Sequence, residues 1–341
     1  MRIGAVVIRI IRQLLRDKRS IALLIFAPLL VITLVWLVLD GDPYEPKIAA
    51  ENIPAPLEQV LQNELEKDVV QMSESEAKEA FQKEDLDAFI TIKNHVPYVL
   101  LEGSDPTANS AVMKVIQTAF SSLSDQKNIQ PDVEYYYGSD KINLFDQTGS
   151  VLIGFFVFFF VFVLGGISFL RERTQGTLEK LLSTPIKRWE IVTGYLLGFG
   201  LFTIIQSFVI VTYCVYVLDI WMAGDFWQLL VVTFLLAITA LALATLLSAF
   251  ANNELQIMQF IPIVIIPQAF FSGIFNLETL AEWLQVLSKF MPLTYGADAI
   301  QEIMIKGKDL VDLWQDLLIL FGFALLFYVL NIFALKKHRR L

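Results

Sequence analysis

GSVLIGFFVFFFVFVLGGISFL at residues 149–170 runs directly into RERTQGTLEKLLSTP at residues 171–185. The first stretch carries no charge, and a helix of about 20 such residues crosses the hydrocarbon core of a bilayer. The second opens with two arginines and then turns amphipathic. A span therefore ends at Arg171, and a polar-faced segment begins on one side of a membrane. Further apolar runs lie at 20–39, 191–218, 227–250, 257–275 and 314–335. Run length, and not only the 55% hydrophobic content, points to an α-helical polytopic membrane protein with six transmembrane helices.

Residues 1–19 precede the first run. Ile3, Val6, Val7, Ile10, Ile11, Leu14 and Leu15 recur at helical spacing, with Arg2, Arg9 and Arg16 opposite and Arg12 beside them. The pattern predicts an amphipathic helix lying in the membrane interface, its apolar side down and Arg9, Arg12 and Arg16 at the headgroups. The other reading is a charged flank that only orients the next span. The run 20–39 is too long for a signal-peptide core, carries Trp36 near its far end, and is followed by Asp40-Gly41-Asp42-Pro43 in place of a small-x-small cleavage site. It is read as an uncleaved first span.

Residues 40–147 are polar and alternate helix-like and strand-like stretches, which predicts a small α/β domain. Helical character falls at 55–67, 73–84 and 107–123. Ser73 with Glu76 three residues later is a capping-box pattern. DAFITIK (87–93) and VPYVLL (96–101) flank Asn94-His95 as two strands. Residues 276–313 are semi-polar. Trp283, Leu284, Leu287, Phe290 and Met291 predict a helix on, or dipping into, the membrane surface, while Glu278, Glu282, Lys289, Asp298 and Glu302 argue against a seventh span.

Charge orients the chain. All ten arginines fall within 1–19, 171–190 and 336–341, the last being the basic tail Lys336-Lys337-His338-Arg339-Arg340. Residues 41–147 hold 20 acidic residues, 8 lysines and no arginine. By the positive-inside rule both termini are cytoplasmic at a cell membrane and the acidic domain is external. An acidic outer domain also disfavours nucleic acid as a partner. One cysteine, Cys214, and two distant histidines, His95 and His338, leave little for a disulfide, a metal cluster or His-based catalysis. No G-x-x-x-x-G-K-[ST] occurs, so a nucleotide would have to bind a separate chain.

The 171–185 loop has its own logic. Arg171 and Arg173 anchor the helix end at the headgroups, Gly176 breaks the helix, and Thr177 can cap a new short one. Leu178, Leu181 and Leu182 give that helix an apolar face, Pro185 stops it, and Trp189 marks re-entry into the interface. It reads as a docking element for a partner, or else as a solvated connector. Gly194 and Gly198 form a small-x-x-x-small pair that suits close helix packing, within the chain or between two copies. Gln206, Gln259, Gln268 and Asn331 either line a pathway or bond between helices, and Pro262 with Pro267 would kink the fifth span as a possible gate.

Arg171-Glu172, Gly176-Thr177-Leu178-Glu179, Leu181-Leu182 and Thr184-Pro185, with this topology and the Met291-Pro292-Leu293-Thr294-Tyr295 segment, resemble the permease subunit of ABC-2 type exporters, the class that includes bacterial drug and antibiotic efflux permeases. The resemblance implies outward transport of an amphipathic or lipophilic compound, powered by a cytoplasmic ABC ATPase that binds the ATP. It implies a coupling surface of Arg171, Glu172, Gly176, Thr177, Leu178, Glu179, Leu182 and Pro185, together with the N-terminal helix. It implies a second permease copy, identical or related, and no catalysis by this chain. The alternative is a membrane sensor or receptor whose external domain binds a ligand. An intramembrane enzyme has no matching motif here.

Overall fold

The computed structural model describes residues 2–39, 46–65, 69–83, 85–93, 96–101, 106–123, 144–275 and 281–337. The chain forms two compact units, Gly41–Glu134 and the remainder.

In the smaller unit, β1 (Ile48–Glu51), β2 (Val70–Gln71), β3 (Ala88–Lys93) and β4 (Val96–Leu101) form one sheet in the order β2-β1-β3-β4. β1 pairs in parallel with β2 and β3, and β3 pairs antiparallel with β4. Alternation sorts the strands' side chains onto two faces. Ala50, Ala88 and Ile90 meet Leu57 and Leu61 of α3 (Ala55–Leu65) and Val112 and Ile116 of α5 (Pro106–Leu123). Ala49 and Phe89 meet Ala77 of α4 (Glu74–Gln82) on the other. Ser73 and Glu76 cap α4 reciprocally, and the Ser73 N–H holds the Glu76 carboxyl below its usual pKa. Asn94 and His95 lie outside the described residues. β1 and β2 add parallel pairings to the hairpin read from the sequence.

The larger unit is a helical bundle. α1 (Arg2–Arg16) and α2 (Lys18–Leu39) are followed by α6 (Leu144–Thr174), the short α7 (Thr177–Leu182), α8 (Arg188–Tyr216), α9 (Phe226–Ser248), α10 (Glu254–Ala269), α11 (Glu282–Ser288), α12 (Pro292–Lys306) and α13 (Trp314–Lys337). Among the described residues, five helices are long and apolar enough to cross a membrane, in α6, α8, α9, α10 and α13, and α2 carries a shorter apolar stretch, Ile25–Leu39. The chain is a polytopic helical membrane protein.

Where lipid is the solvent, packing and interhelical hydrogen bonds hold helices together. α9 sits centrally. Its Leu236 fills the space left by Gly154 of α6 and Gly296 of α12, and its Ser248 hydroxyl donates to the Gly166 carbonyl at 2.9 Å. Asn331 of α13 donates to the Ala242 carbonyl at 2.8 Å. Thr33 of α2 and Tyr213 of α8 share a 2.6 Å hydroxyl contact. Phe156, Phe158 and Phe162 of the aromatic run are buried, while Phe155, Phe159 and Phe160 pack partly exposed against that core. Of the four amides noted in the sequence, Asn331 and Gln268 bond between elements, Gln259 is exposed, and Gln206 is buried with neither amide atom partnered among the described residues.

α10 stays helical through Pro262 and Pro267, and the irregularity falls one turn later. A proline removes the N–H that would bond the carbonyl four residues earlier. A π turn then occupies Phe270–Ile274, with Gly273 at φ 95°. α12 braces that turn: Gln268 Oε1 accepts from Leu293 N at 3.0 Å, and the Thr294 hydroxyl donates to the Phe271 carbonyl at 2.7 Å. α11 exposes Trp283 and Phe290 flanks it in the open, whereas α12 is buried along one face against α6, α9 and α13.

Gly194 and Gly198 are used within the chain. Cβ atoms there would lie 2.7 Å from Val6 Cγ1 and 2.9 Å from Ile10 Cβ, so α1 rests directly on the α8 backbone. Part of the α1 apolar face expected to lie in lipid therefore faces protein: Val6, Ile10 and Leu14 are buried. Gly200, about half a turn further round, has nothing within 4 Å of a Cβ. Gly198→Ala is expected to destabilise the protein by about 1–3 kcal/mol through overpacking, and Gly200→Ala not at all, read as thermal unfolding in detergent.

Candidate coupling site

The segment from Arg171 to Pro185 is shaped by one glycine. Gly176 sits at φ 71°, a left-handed conformation in which a Cβ is strained. Its N–H donates to the Arg173 carbonyl at 2.9 Å, closing α6, and its carbonyl accepts from Lys180 N at 3.1 Å, opening α7. Gly176 is thus itself the N-cap residue, and Thr177 is the first residue of the helix rather than its cap. At the far end the Ser183 and Thr184 hydroxyls bond back to the Lys180 and Leu181 carbonyls. Leu178 is 2% exposed and anchors α7 to the bundle, with Leu182 half-buried; Glu179 and Lys180 face outward, and Pro185 is exposed.

Arginines hold this segment from three sides. Arg173 Nη1 donates to the Ser248 and Ala251 carbonyls at 2.5 and 2.8 Å, satisfying the C-terminal end of α9. Arg171 pairs with Glu254 of α10 at 3.1 Å and approaches Asp17 at 3.8 Å. Arg2 of α1 donates to the Pro185 carbonyl at 2.6 Å. Arg171 and Arg173 thus each engage protein acceptors as well as standing at the end of α6. A cavity of about 170 Å³ opens between α7 and the α9–α10 turn, lined by Arg173, Thr174, Leu178, Glu179, Leu182 and Asn252 among others.

Beneath this surface lies a buried polar cluster. Glu172 is 1% exposed. Its Oε2 accepts from Arg9 Nη2 at 2.7 Å and from the Tyr195 hydroxyl at 2.7 Å, and Arg9 Nη2 also reaches Tyr195 Oη at 2.9 Å. The Arg9 guanidinium stands 5.7 Å from the Tyr195 ring centre, and that ring packs edge-on to Phe169 and stacks on Phe199. Partial burial works against the Arg9 charge, but the Tyr195 and Glu172 interactions outweigh it and raise its pKa. The three side chains come from α1, α6 and α8, so one carboxylate ties together the helices on either side of α7 and the helix that lies across them.

The sequence-derived set thus divides. Gly176, Thr177, Glu179, Pro185 and Arg171 are at the surface or partly so; Glu172 and Leu178 lie under it; Arg12 and Arg16 are exposed on α1. Pro262 is exposed and Pro267 half-buried on α10, a separate helix from the loop. Tyr195 and the Ser248 and Ala251 carbonyls were not singled out in the sequence, and Arg2 was placed only on the polar face of the N-terminal helix. One signal for Tyr195 was available: a carboxylate set against an apolar run needs buried donors.

An unpaired buried carboxylate is far costlier than a broken surface pair. Arg9→Ala is expected to lower stability by about 3–5 kcal/mol, and Tyr195→Phe by about 1–2 kcal/mol. The Arg9→Gln/Glu172→Gln double variant should lose less than its two single variants summed, because neither retains a lone charge. Thermal unfolding of the four proteins in detergent measures this.

The ABC-2 family transporter protein model matches residues 18–333. Among curated proteins, ABC transporter G family member 20 of Dictyostelium discoideum is 23% identical over 65% of this chain and 30% of its own length. The probable multidrug ABC transporter permease YbhR of Escherichia coli K12 is 23% identical over 46% of the chain and 43% of its own. The linearmycin resistance permease protein LnrN of Bacillus subtilis 168 is 23% identical over 56% and 50%. The chain spans half or less of the length of these relatives. With a family model covering nearly the whole chain, it belongs to the ABC-2 family of transporter proteins.

Proposed function

We propose that the chain is the permease subunit of an ABC exporter, moving an amphipathic or lipophilic compound outward with ATP hydrolysed on a separate cytoplasmic ATPase. The observation that carries this reading is α7: a six-residue helix in a segment whose two ends, Arg171–Arg173 and Pro185, are bonded to α1, α10 and the end of α9, its apolar side turned in and Glu179 and Lys180 turned out. Such a rigid charged knob at the end of a bundle suits the docking of a moving partner. The names of the relatives, multidrug and linearmycin resistance permeases, support the substrate class.

In this reading α2 is the first of six spans, both termini and α7 are cytoplasmic, and the α/β unit is external at the cell membrane. A second permease copy, identical or related, completes the transporter. The exposed face of α10, where Gln259 and Pro262 stand among Leu255, Met258, Ile263 and Ile266, supports a protein neighbour there, since a polar amide facing lipid is costly. The Pro262–Pro267 stretch and the π turn after it are the proposed gate. ATP stays on the partner, and this chain performs no hydrolysis.

Charge exchange on the knob, Glu179→Lys with Lys180→Glu, is expected to reduce ATPase copurification and compound-stimulated hydrolysis about tenfold, the equivalent of 1.4 kcal/mol at an interface. The melting temperature should not change, because both side chains are exposed. Unaltered assembly and hydrolysis would sink the proposal.

A further inference from the structure

α1 has three sectors. Val6, Ile10 and Leu14 are buried on α8. Ile8 and Leu15 form a second apolar strip, largely open at 52% and 57% exposure. Arg12 and Arg16, one helical turn apart, form an exposed basic strip beside it. Along the basic strip, with Ile8 at its apolar edge, lies an open groove of about 710 Å³, lined by Ala5, Ile8, Arg9, Arg12, Gln13 and Arg16. Arg9 forms one wall of this groove and, through Nη2, reaches Glu172 and Tyr195 behind it; its Nε is buried with no acceptor among the described residues.

The depth of the groove follows from the packing of α1. Val6 meets Gly194 and Ile10 meets Gly198. With a rise of 1.5 Å per residue, these contacts lie about 9 and about 15 Å along α8 from its first residue, Arg188. Trp189 beside it is exposed, where an interfacial anchor belongs. The part of α1 behind the groove, Val6 to Ile10, therefore flanks about the first third of a membrane-spanning helix, near the level where headgroups give way to acyl chains.

We infer that this groove holds an anionic phospholipid, its phosphodiester between the Arg12 and Arg16 guanidinia and an acyl chain along Ile8 and Leu15. The match is one of charge and polarity together. Guanidinium forks bind phosphate oxygens well. An apolar strip alongside them at membrane depth suits a ligand that carries both a headgroup and a chain, which a soluble anion lacks. An acidic protein surface would satisfy the arginines and leave Ile8 and Leu15 uncovered. Because Arg9 borders the groove and also holds Glu172, the occupant sits one residue away from the base of α7.

The test uses the full chain, delipidated in detergent without any ATPase, so its outcome does not depend on the proposed transport function. Native mass spectrometry counts dioleoyl phosphatidylglycerol against dioleoyl phosphatidylcholine retained at matched concentrations. The unaltered protein should prefer the anionic lipid. Arg12→Gln/Arg16→Gln should cut that preference about 30-fold, about fivefold for each interfacial charge removed. Arg12→Lys/Arg16→Lys should keep most of it, and thermal unfolding should show all three proteins folded. Excess glycerol phosphate should not displace the lipid. Equal retention of the two lipids, an undiminished preference in the glutamine variant, or displacement by glycerol phosphate alone would overturn the assignment.

Discussion

A single buried carboxylate organises one end of this molecule. Glu172 stands two residues past an apolar run and is closed off from solvent. A charge in that position is costly unless donors surround it. Arg9 and Tyr195 supply them from α1 and α8, and neither can do so unless α1 lies close on the α8 backbone. That closeness requires Gly194 and Gly198, where any side chain would collide with Val6 and Ile10. The glycines, the arginine and the carboxylate are therefore one design seen at three levels: backbone approach, packing, and charge.

The consequences reach the surface. With α1 fixed, Arg2 reaches the Pro185 carbonyl at the far side of α7. With α6 fixed by Glu172, Arg173 on its next residue is aimed at the carbonyls that end α9. The left-handed Gly176 then turns the chain between these two fixed points. α7 is short, and a helix of its length has little stability of its own. Its order comes from the flanks, which tie the segment to α1, α9 and α10.

Much of this could be read from the sequence, and what could not has a physical reason. Long apolar runs announce membrane helices because length and composition suffice, and Gly176, Pro185 and the Ser73–Glu76 box act on near neighbours. Arg9 and Glu172 are 163 residues apart, and nothing in either local pattern names the other. Periodicity placed Arg9 opposite the apolar face of α1, but a long guanidinium on the flank of that face can still reach inward. β1, reading Ile-Ala-Ala-Glu, has too weak a strand preference to stand out. α12 was obscured by its charges: Asp298 is exposed and Glu302 is paired with Lys306 and Lys308, so neither prevents the opposite face from burying Leu293, Ile300 and Ile303 in the bundle. The prolines of α10 were legible as a disturbance, but its location one turn later depended on how α12 braces the chain.

The central claim is that α1 and α7 form one rigid piece held through Arg9. The most direct measurement is the distance between spin labels at Gln13 and Lys180, both exposed, in a Cys214→Ala background reconstituted in lipid. A single narrow distribution that broadens when Arg9→Gln is introduced is the predicted result. A broad distribution in the parent protein, or one indifferent to Arg9, would contradict the account.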